Sequence, residues 1–146
     1  PRPAKEALRN TMFYDFALVI PKKTAENDPY TEDLQLEKGT IHHVEVRFEA
    51  GCQREVHCKL ERWGHQAFPK LPSLSFSSED DTIVIDDHFP LDAEPYLLKF
   101  YGWSPDANYD HTITVRIGIL YEDYLMPTNP LVRALNKFFS LIPGFK

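Results

Sequence analysis

Six histidines, two cysteines and a set of acidic turns are the residues of this chain with chemistry to offer. In an extended chain His43 and His57 can face the same side of adjacent strands. Two imidazoles with Glu45 or Glu61 nearby are the raw material of a divalent-metal site. The pattern stops short of one. Adjacent His42 and His43 in a strand point to opposite faces, and no H-x-H, H-E-x-x-H or cupin-like spacing occurs. His42, His43, His57, His65, His88 and His111 are therefore expected as surface strand histidines, with no metal assigned. Cys52, Glu55 and His57 lie close enough in sequence for a Cys/His arrangement, yet no nucleophile elbow or oxyanion-loop signature accompanies them. Two cysteines six apart make no disulfide framework. The expectation is two free thiols, Cys52 half-exposed in a turn after Gly51 and Cys58 packed in a strand.

Asp106-Ala107-Asn108-Tyr109-Asp110 opens like the D-x-N-x-D of a calcium loop. The match then fails, with His111 where the loop needs glycine and Ile117 where it needs glutamate. This segment, 77–81 and 86–88 are expected as acidic turns or strand ends. With 22 acidic residues, carboxylate pairs arise by number, and no glycosidase pair stands out. No catalytic set and no cofactor signature is read, so the expectation is a non-enzymatic protein. Trp63, Trp103 and Tyr109 sit near predicted loops, where such rings serve as stacking platforms for sugars. Large rings at strand ends also plug the ends of a sandwich core. A carbohydrate- or ligand-binding module built on these three, with or without calcium, is the alternative function.

Whatever these residues do, period-two strands must hold them. In 40–48, Val44, Val46 and Phe48 share one face and His43, Glu45 and Arg47 the other. In 55–62, Val56, Cys58 and Leu60 oppose His57, Lys59 and Glu61. In 111–120, Ile113, Val115, Ile117 and Ile119 oppose Thr112, Thr114, Arg116 and Gly118. One-sided strands of this kind belong to antiparallel sheets with a wet face. Further strands are expected over 12–20, 33–37, 74–76, 82–86 and 95–101, separated by turn signals at Lys38-Gly39, Ala50-Gly51 and Ser104-Pro105-Asp106. About eight short strands without a βαβ rhythm imply an all-β fold, a single antiparallel β-sandwich, jelly-roll-like or immunoglobulin-like.

The C-terminus changes character. After a linker, Pro130 suits the first turn of a helix, and Leu131, Leu135, Phe138 and Ile142 form one apolar stripe flanked by Val132 and Phe139. The expected division is a basic N-terminal arm over 1–11, a sandwich over 12–126, and a linker with an amphipathic helix over 127–146. The 146 residues carry a net charge of −6, which argues against nucleic acid as the main partner. That charge is segregated. Residues 1–25 have five basic and two acidic residues, net +3; residues 26–126 have eight basic and twenty acidic, net −12; residues 127–146 have three basic and no acidic, net +3. No apolar run is long enough to span a membrane, and no secretory signal is seen in the first 25 residues. A cytoplasmic or particle-borne protein is expected.

Residues 19–24, 36–46 and 109–117 resemble small β-sandwich proteins carried in phage and prophage structural-gene regions, a likeness covering about 15–120. The resemblance implies a virion component: a shell, decoration or tail-associated subunit. It assigns no site residues. Together with the charge pattern it gives the expectation of a homo-oligomer, or an assembly with other particle proteins, formed through the termini. Leu131, Leu135, Phe138, Phe139 and Ile142 would supply the apolar anchor, with Arg133 and Lys137 orienting it.

Overall fold

The computed structural model describes residues 11–121 and 130–141. Among the described residues, eight strands precede one helix: β1 Thr11–Ile20, β2 Tyr30–Gln35, β3 Gly39–Phe48, β4 His57–Arg62, β5 His65–Phe68, β6 Asp81–Leu91, β7 Leu97–Trp103, β8 His111–Leu120 and α1 Pro130–Ser140. They form two four-stranded sheets, ordered β1-β8-β3-β6 and β2-β7-β4-β5. All their pairings are antiparallel. The pairings nest: β4 with β5, β3 with β6, β2 with β7, β1 with β8. One long ribbon is thus rolled up until β8 lies beside β3 and β7 beside β4. That connectivity is a jelly roll, which decides between the two sandwiches the periodicity allowed.

The core is where the two inner faces meet. Leu18, Ile20, Ile41, Val44, Val46, Phe48, Ile113, Val115, Ile117 and Ile119 come from the first sheet, and Leu34, Cys58, Leu60, Phe68, Leu98 and Phe100 from the second; all are buried. Each large apolar side chain contributes roughly 1.5–3 kcal/mol of transfer free energy. The alternation expected over 43–48, 55–62 and 111–120 is the alternation observed.

Two expectations about elements are corrected. The segment 74–76 is not a strand; Phe76 makes only a bridge to Cys58, through N–H···O bonds of 3.0 and 2.9 Å. The strand missing from the expectation is β5, four residues long and reached through a two-residue turn. Trp63 and Gly64 both have positive φ, 51° and 76°, as a type I′ hairpin turn requires. Tryptophan is a rare choice there, so the turn carried no composition signal.

The opposite facing of His42 and His43 is also corrected. The β3 register slips at this point against both β6 and β8. A β-bulge turns both rings outward, 6.2 Å apart. The boundaries proposed at 1–11 and around 126 fall largely on residues outside those described.

Candidate functional site

Helix α1 carries the residues expected to anchor an assembly. It begins at Pro130, as expected, and ends at Ser140. Its first turn has no acid and its last turn holds Lys137, a polarity that suits the negative C-terminal end of the helix dipole. Leu135, Phe138, Phe139 and Leu141 are all exposed, Phe138 by 61% and Leu141 by 74%. Phe138 and Phe139 touch edge to face, with centroids 5.9 Å apart. Leu131 and Arg133 lie within the helix, their side chains outside the described set, and Ile142 lies beyond the described residues.

The molecule has two poles. Leu120 faces Thr11 on one side and Thr40 on the other, and Gly39 faces Leu91, so β1 begins and β8 ends at the pole where the β2–β3 and β6–β7 loops turn. Arg62 organises this pole. Although 94% buried, its guanidinium has work there: Nη1 donates to the carbonyls of Pro95 and Leu97 at 2.9 and 3.3 Å, and Nη2 to that of Ala93 at 2.7 Å. It thereby ties the β6–β7 loop to the β4–β5 hairpin, and it also stacks against Trp63 at 4.0 Å. Trp63 itself is 59% exposed, so it plugs nothing. Beside it runs a groove of about 210 Å³ lined by Trp63, His65, Ala67, Phe89, Pro90 and Asp92 among others. The acidic body read from the sequence is densest over residues 71–98, which hold seven acids and no lysine or arginine; of these, Asp92 and Glu94 lie in the β6–β7 loop at this pole, and β6 is a sheet edge.

A polar ladder crosses the outer face of the first sheet. Asp15 on β1 pairs with Arg116 on β8 at 3.1 Å, Arg116 with Glu45 on β3 at 3.3 Å, Glu45 with His43 at 3.0 Å, and His43 with Asp86 on β6 at 2.8 Å. Hydrogen bonds to Glu45 and then Asp86 raise the pKa of His43. Burial, and then the charge of His43, lower that of His42. Phe13 covers both rings, and Gly118 leaves room for it: a Cβ there would stand 2.7 Å from Phe13 Cε1 and 2.8 Å from His42 Nε2.

The His43–His57 pair does not exist. β3 and β4 belong to different sheets, because the roll sends consecutive strands to opposite layers. His57 instead stacks on Trp103, 5.8 Å apart and within 12° of parallel. Among the described residues no three of His, Cys, Asp or Glu are grouped to hold a metal. Nor is Cys52 half-exposed: both thiols are free and buried. Burial and then the charge of Glu49 push Cys52 up to about 11, and burial pushes Cys58 up as well, the reverse of nucleophile activation.

The three rings of the alternative ligand site do not converge. Trp103 is 93% buried. Tyr109, 75% exposed, stands in the β7–β8 loop at the pole opposite Trp63. It borders a polar cleft of about 430 Å³ with Glu49, Glu55, Asp110 and His111. There Asp110 accepts the Lys22 N–H at 2.8 Å, and Glu49 contacts His111 and accepts the Thr112 N–H, at 3.2 and 3.0 Å. Glu79 closes the neighbouring loop by accepting the N–H groups of Gly51 and Gln53. Glu49, Glu79 and Asp110 are engaged as turn ties. Among the described residues no helix is long and apolar enough to cross a membrane. No protein-family model matches the chain, and no curated protein does.

Proposed function

We propose that this chain is a non-enzymatic structural subunit that self-associates through its C-terminal helix, as a shell, decoration or tail-associated component of a phage-like particle. The observation that carries the reading is the exposure of Leu135 and Phe138 on one basic amphipathic helix, with Leu141 exposed just past its end. An apolar stripe left in water is a contact surface awaiting a partner. The jelly-roll connectivity agrees with it, since shell proteins use this sandwich widely, and so does the likeness of 15–120 to phage structural-region proteins. Mechanism on this reading is burial: aromatic and aliphatic anchors supply the affinity, while Lys137 and the acidic body set orientation. The test is the mass of the full chain in solution by sedimentation. The wild-type chain is expected above monomer mass, and Phe138→Asp is expected to return it to monomer with its far-UV spectrum unchanged. A wild-type chain that stays monomeric at millimolar concentration, or an assembly indifferent to Phe138→Asp, refutes the reading.

A further inference from the structure

We propose that the groove between β5 and β6 receives helix α1 of a second copy of this chain. The assignment rests on the reading of α1 as the assembly element, and names the surface it meets.

Donor and acceptor match in polarity and in charge. The helix presents Leu135 and Phe138 beside Lys137, with Leu141 just past its end, and residues 127–146 contain no acid. The groove offers Trp63, Ala67, Phe89 and Pro90, with Asp92 on its rim, enough room for an aromatic side chain. Asp92 and Glu94 stand exposed in the β6–β7 loop at the same pole, whereas Glu79, Asp80 and Asp81 lie at the opposite end of β6. Arg62 is turned inward onto three carbonyls, and Lys70 pairs with Asp87 at 2.6 Å, which leaves Asp92 on the rim and Glu94 in the same loop as exposed acids at this pole.

Reach also fits. β8 ends at the pole where the groove opens, and Pro130 follows Tyr121 by nine residues, a span of up to about 30 Å when extended. Within the single chain both partners stand open: the stripe is exposed and so is Trp63. A second copy satisfies both at once. Reciprocal exchange gives each subunit one helix donated and one received, a closed two-fold contact.

The experiment measures self-association of the full chain by sedimentation, with far-UV spectra and urea midpoints as fold controls. Trp63→Ser is expected to weaken association at least about tenfold, as loss of a central aromatic anchor does. Asp92→Lys and Lys137→Glu are each expected to weaken it several-fold. The double variant, which restores opposite signs, is expected within about threefold of wild type. Should Trp63→Ser fail to fold, the charge exchange decides alone. Association lost with Phe138→Asp but indifferent to Trp63→Ser and to both charge reversals overturns the groove and leaves the assembly reading standing. Additive losses in the double charge variant overturn the pairing. A wild-type monomer overturns both readings. A monomer whose Trp63 emission shifts on Phe138→Asp puts the helix in its own groove and overturns the second copy.

Discussion

At the scale of single residues, the two adjacent histidines behave in opposite ways because their surroundings differ. His43 stands between Glu45 and Asp86, so its folded pKa is above its ordinary value. Its stabilising contribution is complete below the unfolded value, near 6.5, and is lost as pH rises through the folded one. His42 is set the other way: burial lowers its pKa, so it costs stability once pH falls below the unfolded value. His43→Asn is therefore expected to remove a gain seen on going from pH 8 to pH 6, and His42→Asn to enlarge it. The groups facing the pair are Glu45, Asp86 and Arg116, and since Asp86 is largely exposed the effect is screened to about 0.2–1 kcal/mol. Urea midpoints at the two pH values measure it, and equal midpoint shifts for both variants would contradict it. The outward facing of His43 and its neighbour Glu45 was legible from alternation alone. The turning of His42 to the same side was not, since a bulge is a property of the pairing, not of one strand's sequence.

At the scale of elements, the β4–β5 hairpin depends on one buried cation and one glycine. Replacing Arg62 with Met leaves the carbonyls of Ala93, Pro95 and Leu97 without their donor, a loss of about 2–4 kcal/mol by urea denaturation. Gly64→Ala forces a side chain into positive φ, and is expected to cost about 1–2 kcal/mol. A loss below about 0.5 kcal/mol for Arg62→Met would mean water serves those carbonyls equally well. These elements also show where sequence reading ends. Strand β8 was legible to its last residue, because four isoleucines and valines on one face leave a single register. Strand β5 was invisible: four residues give too few alternations, and Trp63 masks the turn before it. The inward face of Arg62 was hidden too, because its partners are carbonyls about thirty residues away.

At the scale of the whole molecule, the sandwich itself was legible and the layering was not. Period-two runs fix that strands exist and which side of each is apolar, but not which strands are neighbours, so His43 and His57 were set side by side although the roll parts them. The charge split carries a prediction at this scale. If basic helices meet acidic flanks, self-association weakens with salt, since the Debye length falls from roughly 10 Å at 0.1 M to 3 Å at 1 M. The apparent Kd of the full chain is expected to rise several-fold between 0.05 and 0.5 M sodium chloride; a fall would point to apolar contact without the charges. The register that brings Thr11 opposite Leu120 has a consequence of another kind. The two ends of the rolled ribbon are neighbours in space, and 108–110, with Tyr109, are exposed at the far pole. The order in which the strands are written along the polymer is then separable from the shape they make. A permuted gene that joins 120 to 11 through a short linker and starts at 108–109 encodes the same six pairings in a new order, with both former ends sealed.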